Sequence, residues 1–448
     1  MKQRWIDTAP DAEDKQEQQF QVWLSAKEID FVNSQAEAKY KERVTLVKDA
    51  IQMQKRPARI PVCPSAGHFP IEHAGISWQD AMYDYEKLTQ AWQKYHLEFD
   101  PDACSSPMNI PPGKALEILD FSQYRWAGQS LRADQEYQFV EREYMTADEY
   151  LDLIDDPTGF FLNVFFPRIF GRLKALEKFP NLPPVHEIIV VPMAMLRFGM
   201  PDVQSALSTL MQAGDEVNQW ISHIARANAA LAANGYPLFS AGFSKAPFDV
   251  IGDSLRGTQG VLMDMFRKPD ELVEACERLT PFMIKYGVAS CKAVGHIMPF
   301  IPLHKGADGF MSNAQFEKFY WPTLRKVIIG LINEGLVPQL FAEGGYNQRL
   351  EIISDLPKGK TLWWFDTTDM ARAKATVGKV ACLAGNVPLD ILCTGSTSDV
   401  QAYCKDLMAT AGKDGGFILS TGAGVQGAKP ENVRAMIAYC KHNGVYNL

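Results

Sequence analysis

No run of apolar residues in this sequence approaches the ~20 that a membrane-spanning helix needs. The N-terminal stretch "MKQRWIDTAPDAEDKQEQQF" is polar and lacks the apolar core of a signal peptide, so a cytoplasmic location without membrane contact is expected. A basic excess is also missing. Lys and Arg number 45 against 53 Asp and Glu, giving a formal charge of −8, and a nucleic-acid partner would normally require a basic face. The eight cysteines include no CxxC pair, and nothing in their spacing points to a zinc-thiolate site. They read as reduced, mostly buried thiols. No GxGxxG follows an early strand, which removes the usual sign of a dinucleotide fold. Low-complexity tracts and short-period repeats are absent as well.

Hydrophobic residues make up 46% of the 448, enough for a large core. Residues 1–56 are charged and helix-prone up to the break at Pro57, because proline cannot continue a helix interior. They are expected to form a helical extension lying outside the core or across a homodimer. From residue 57 to 448 a rhythm runs: a short apolar run, a small or polar residue, then a helical pattern. The runs are "ARIPVCPSAGHFP", "LEFDPDACSSP", "EIIVVPMAM", "YPLFSAGFSKAPFD", "HIMPFIPLHKG", "LVPQLFAEGG", "KTLWWFDTTD", "VACLAGNVP" and "GGFILSTGAG". Each suits a buried parallel strand. Repeated βα units suggest an α/β fold, and their number favours a (β/α)8 TIM barrel over an open doubly wound sheet. Thr146 with Glu149 has capping-box spacing, and Pro430 suits a first helical position.

A barrel places its chemistry at the C-terminal ends of the strands. Those ends supply His68, then Asp100 and Asp102, Ser244 and Asp249, His304, Glu343, Asp366, Asn386, and the loop Gly422-Ala423-Gly424. Several of these have plainer readings. Asp100 and Asp102 suit turn caps, Asp366 suits a helix N-cap, Asn386 before Val-Pro suits a turn, and His296 suits a packed histidine. Glu343 stands out: it follows "VPQLFA" and precedes two glycines, so a carboxylate is carried on a flexible turn. The glycine loop before Pro430 offers backbone N–H groups that could hold an anion.

Segments in order through the C-terminal half carry a resemblance. These are "APFDVIGDSLRGTQGVLMDMFRKPDELVEACERLTPF", "KGADGFMSNAQFEKFYWPTLRKVI", "LFAEGG", "AGNVPLDIL" and "GGFILSTGAGVQGAKPENVRAMI". The sequence resembles the uroporphyrinogen decarboxylase superfamily across residues 246–437, with weaker likeness from about 56 to 180. That resemblance implies a single (β/α)8 barrel. It also exposes departures. Superfamily decarboxylases grip their substrate with N-terminal arginines, and here no arginine lies between Arg59 and Arg125. Their catalytic aspartate falls in the loop after the second strand, which by the resemblance places it near Pro107, with Asp102 close. Their last loop carries a histidine, matched by Ala423. The zinc-dependent, thiol-methylating branch uses a histidine, a cysteine and a later cysteine, matched by Phe341, Glu343 and Ala423. Phe and Ala cannot ligate a metal, so the identity of any metal stays open.

What the resemblance then implies is a methyltransferase of a corrinoid-dependent system. It would act between a small O- or N-methyl compound, or a folate, and a corrinoid held by a separate partner protein, since no DxHxxG cobalamin signature is present. Glu343, held partly dry, would serve as the acid, with His304 as second candidate and His68 nearby. Asp102, Asp249, Asp366, Asn386, Gly422 and Ala423 would line the substrate pocket. Two alternatives are a decarboxylase or lyase acting on a small carboxylate, and a non-catalytic barrel that binds a small molecule.

Overall fold

Eight of the nine apolar runs become staves of one closed barrel. The computed structural model describes residues 7–179 and 186–446. Strands β1 (Tyr124–Arg125) and β2 (Gln138–Phe139) form a small antiparallel pair outside the barrel. Five parallel strands follow in sequential order: β3 (Phe300–Leu303), β4 (Gln339–Ala342), β5 (Leu362–Phe365), β6 (Cys382–Val387) and β7 (Phe417–Thr421). Three further staves are joined by single parallel bridges: Val62 to Leu419, Cys104 to Leu238, and Phe243 to Phe300. The Asp102 N–H donates to the Val62 carbonyl at 2.9 Å and seals the remaining seam. Five strands and three bridged segments make eight. The sheet therefore returns on itself and leaves no edge for unwanted pairing.

Alternation along each strand separates two apolar layers. Ile301, Leu303, Leu340, Ala342, Trp363, Phe365, Leu383 and Leu419 are fully buried and face the helix layer. Phe300, Phe341, Leu362, Trp364, Cys382, Ala384 and Ile418 belong to a second cluster inside the barrel. That inner cluster also contains Phe20 and Trp23 of helix α1 (Ala12–Ser25) and Tyr40, Val44, Val47 and Ile51 of helix α2 (Ser34–Gln52). The N-terminal helices thus do not lie outside the core, as their charge suggested. They plug the bottom of the barrel. Gln16 Nε2 donates to the Leu336 carbonyl at 3.2 Å and Arg43 Nη1 to the Gly235 carbonyl at 2.7 Å, both in loops that enter strands. Their polar sides face water, and their apolar sides are spent on the lumen.

The run "EIIVVPMAM" forms no stave. Ile188 and Ile189 are 84% and 80% exposed, and a short helix, Val191–Leu196, follows. Eight staves come from other segments, so the closed sheet has no place for a ninth. The local capping signals hold: the Glu149 carboxylate accepts from the Thr146 N–H at 2.7 Å, and Pro430 opens the last helix, Pro430–Asn443. Among the described residues no helix is long and apolar enough to cross a membrane.

Asp102 and Asp100 sit at the bottom of the barrel, not at the mouth. Asp102 is fully buried, and both its oxygens accept from Arg59 at 2.6 Å while Oδ2 also accepts from the Val62 N–H at 2.8 Å. Asp100 ends the helix Tyr85–Phe99 with φ of 53° and is gripped by Arg43, Lys441 and Tyr236. Asp102 is therefore a structural residue rather than a substrate ligand. Removing Arg59 would leave this buried carboxylate, among the described residues, with only the Val62 N–H and Lys441 at 4.0 Å. Arg59→Met should cost about 3–5 kcal/mol in urea unfolding, and adding Asp102→Asn should recover part of the loss.

Candidate active site

The inward rows of β3, β4 and β5 run upward into the mouth. On β4 the row reads Gln339, Phe341, then Glu343; on β5 it reads Leu362, Trp364, then Asp366; on β3 it reads Phe300, Pro302, then His304. Phe341 pairs in register with Trp364. Their ring centroids lie 4.6 Å apart, and Phe300 lies 6.1 Å from Phe341 and 6.4 Å from Trp364. Trp364 is fixed by donating its indole N–H to the Thr421 carbonyl at 2.7 Å. An aromatic floor results, with polar side chains one step above it. Phe341 is part of this floor, and its ring offers no metal-ligating atom.

His304 is held by two aspartates four residues apart. The stretch Pro247–Leu255 is helical, with a π-helical turn from Val250, and presents Asp249 and Asp253 toward the end of β3. Asp249 is fully buried and accepts the backbone N–H groups of His304 and Lys305, each at 3.0 Å, and the Tyr320 hydroxyl at 2.7 Å. Asp253 Oδ2 lies 2.7 Å from His304 Nδ1 and 2.7 Å from Lys245 Nζ; its other oxygen lies 3.1 Å from Lys305 Nζ. On the opposite side of the ring, His304 Nε2 is 3.5 Å from Glu343 Oε2.

Electrostatics sort these groups. Burial, reinforced by the charge of Asp253, pushes Asp249 up to about 6. Burial alone would raise Asp253 too, but its bond to His304 and the Lys245 charge outweigh it and hold it well below the carboxylate range. Burial opposes a charged His304 ring, yet the Asp253 bond and the two carboxylate charges win and raise it. The ring is thus a cation-prone acid, its Nδ1 side tied and its Nε2 side turned to the mouth.

A lid spans residues 121–145. Gln123 Nε2 donates to the Ser254 carbonyl at 3.0 Å, Glu141 accepts the Thr258 N–H at 2.6 Å, and the Tyr144 N–H reaches the Leu255 carbonyl at 2.8 Å. Tyr137 of the lid stands 5.8 Å from Tyr124, whose hydroxyl is raised by burial and by the Asp253 charge. His68 lies under this lid, edge-on to Trp78 at 4.6 Å and to Tyr137 at 6.0 Å. Burial pushes its ring down to about 4, so it is neutral at pH 7. The Glu136 carboxylate is 2.9 Å from Nδ1 but outside hydrogen-bonding alignment. Among the described residues no hydrogen bond or ion pair joins His68 to His304 or Glu343.

The other expected residues divide. Glu343 reaches the mouth, but its side chain is 54% exposed, so it is not a dry carboxyl. The dry carboxyl is Asp249. Asp366 is half-buried, accepts the Gly344 N–H at 3.0 Å and abuts Gly422, tying the β4 and β7 loops together; burial raises it. The helix cap nearby is Asp369 instead. Asn386 donates to the Thr368 carbonyl at 2.8 Å within the wall. The glycine loop is used for close packing. A Cβ on Gly424 would lie 2.8 Å from the Gly67 Cα, and the Gly427 N–H already holds the Glu72 carboxylate at 2.7 Å. The expected anion nest is filled from within. Ala423 accepts a bond from Thr421 through its backbone and presents only a methyl group. Asp253, Lys245, Lys305, Tyr320 and the lid tyrosines escaped the sequence reading. The i,i+4 spacing in "DVIGD" was the available signal for Asp253. Among the described residues no three His, Cys, Asp or Glu side chains gather as a metal-binding group.

Because folding favours the protonated form of Asp249, whose ordinary value is 3.8, its burial costs stability as pH rises from about 4 to about 6. Asp249→Asn lacks that term. Wild-type stability minus that of the variant should fall by on the order of 1–3 kcal/mol between about pH 4 and pH 7 in urea unfolding. A difference that stays flat would show that Asp249 titrates alike in both states.

The uroporphyrinogen decarboxylase (URO-D) family model matches residues 199–442, more than half of the chain and all of its strands from β3 to β7. A uroporphyrinogen decarboxylase of Cellvibrio japonicus is 28% identical over 207 residues, covering 44% of this chain and 56% of that protein. One from Coxiella burnetii is 24% identical over 258 residues, covering 56% and 67%. The match thus spans little more than half the length of the first of these relatives. A methyltransferase from Methanosarcina mazei has the same fold, with a TM-score of 0.56 at 15% identity over 90% of this chain and 98% of that one. The matched region carries the aromatic floor, His304 and both aspartates that hold it, and the chain belongs to the uroporphyrinogen decarboxylase family.

Proposed function

We propose that the protein is a methyltransferase of a corrinoid-dependent system, moving a methyl group between a small O- or N-methyl compound, or a folate, and a corrinoid carried by a partner protein. The observation that carries this reading is His304. Its ring is oriented by Asp253, whose bond and charge favour the protonated form, and it stands above an apolar floor with Nε2 turned to the mouth beside Glu343. Such a group can protonate the oxygen or nitrogen that a departing methyl group leaves behind. The bonding pair stays on that atom, which takes the His304 proton, and the methyl group passes to the acceptor. A reduced corrinoid, when present on its own protein, supplies the nucleophile. This chain supplies the donor site: the floor packs the donor, Asp249 fixes the His304 backbone, and Asp253 fixes the ring. Glu343, exposed at the mouth beside Nε2, can return the proton from solvent.

The names of the relatives support a second reading, decarboxylation of a small carboxylate. Lys245 and Lys305 lie next to His304 and would suit an acid, although both are engaged by Asp253.

The two readings separate in one assay. The full chain is given cob(I)alamin and a panel of methyl ethers, methylamines and methylfolate, and the visible spectrum is followed alongside CO₂ release from small acids. Methylcobalamin formation is expected, slowed roughly 100-fold or more by His304→Asn. The rate should fall as pH rises through the raised His304 value, because the acid form is lost. CO₂ release with no methyl transfer from any donor would overturn the proposal in favour of the second reading.

A further inference from the structure

Two carboxylates at the mouth are left without a lysine or arginine. Lys245 and Lys305 both lie against Asp253, at 2.7 and 3.1 Å, and neither forms an ion pair with Glu343 or Asp366 among the described residues. Among the described residues, Glu343 has only the His304 ring at 3.5 Å, and Asp366 has only the Gly344 N–H. These two are neighbours by register: Phe341 pairs with Trp364, so the next inward positions, Glu343 and Asp366, stand side by side above those rings. Two of the three rings are partly exposed, and Trp364 is buried beside them. Phe300 and Phe341 are partly exposed although their strand neighbours Ile301, Leu340 and Ala342 are sealed in the helix layer. Exposure on the inner side of a closed barrel that is plugged below means exposure to the mouth. A third observation comes from deeper in the same row. Gln339 is 1% exposed, faces inward by the same alternation, and its side-chain carbonyl oxygen has no hydrogen-bond partner.

We propose that Phe300, Phe341 and Trp364, rimmed by Glu343 and Asp366, form a cup for an alkylammonium group, so that the substrate is a compact methylated amine or quaternary ammonium compound. The chemistry is that of cation recognition by aromatic side chains, strengthened by the carboxylates of Glu343 and Asp366 at the rim. A neutral apolar ligand would satisfy the rings but leave Asp366 with no cation and Glu343 with only the His304 ring. Anchoring is a binding role: when a methyl group passes from the bound ammonium nitrogen to the acceptor, the bonding pair stays on nitrogen, which leaves as a neutral amine able to take the His304 proton afterwards. The inference rests on the methyl-transfer reading for the name of the reaction, but not for the existence of the cup.

Calorimetry on the full chain tests it with choline as probe against its uncharged tert-butyl isostere. Choline should bind roughly tenfold or more tightly than the isostere. Glu343→Gln, an exposed change that does not threaten folding, should weaken choline roughly fivefold and leave the isostere unchanged. Phe341→Leu, checked for an unaltered melting temperature, should weaken choline by a similar factor. Equal affinities for the two probes, or no binding of choline, would overturn the cup. Choline binding without methyl transfer from any donor would leave the cup standing and remove the methyl-transfer reading; transfer from neutral ethers alone, with no choline bound, would do the reverse.

Discussion

Eight parallel staves can close only if every residue along them alternates between lumen and helix layer, and that constraint organises the rest of the molecule. It makes Ile301, Leu340 and Trp363 core residues and their immediate neighbours Phe300, Phe341 and Trp364 lumen residues. One step beyond each strand it decides which polar side chain reaches the mouth. His304, Glu343 and Asp366 converge because they continue inward rows, not because they are near in sequence. A one-residue shift in any of these strands would turn an aromatic ring outward and a polar side chain into the wall.

Within that frame the site depends on a division of labour between like groups. Asp249 and Asp253 are four residues apart and both approach His304, yet one binds its backbone and the other its ring. The first is enclosed by neutral donors and a tyrosine, the second by three cationic side chains. Environment, not residue type, sets one up and the other down. The same logic separates the histidines: His304 gains a carboxylate and is raised, whereas His68 is buried under the lid among Trp78 and Tyr137 and is pushed down.

Much of the fold could be read in advance, because strand-forming runs and their turn residues are local signals. The excess run at 187–195 could not be sorted from the others on that basis; apolar content alone does not reveal that the ring is already full. The N-terminal helices were misjudged for a related reason. Their exposed charge is visible in the sequence, but the surface that Phe20, Trp23 and Val47 cover is made by strands hundreds of residues away. At the site, Glu343 and His304 were visible as polar residues at strand ends. Asp253 and the lid were not, since their importance comes from a long-range contact. Asp102, at a strand start, was misplaced because the direction of that short stave is apparent only from its pairing with Val62.

The plug formed by α1 and α2 has a consequence for traffic. With Phe20, Trp23, Tyr40 and Val44 packed into the lower opening, the lumen is a blind well rather than a passage. Whatever enters past the lid must leave by the same route. Incoming and outgoing molecules therefore compete for one doorway, and a turnover cycle has to empty the well before it can refill it. The segment from 121 to 145 stands beside that doorway, tied to Ser254, Leu255 and Thr258.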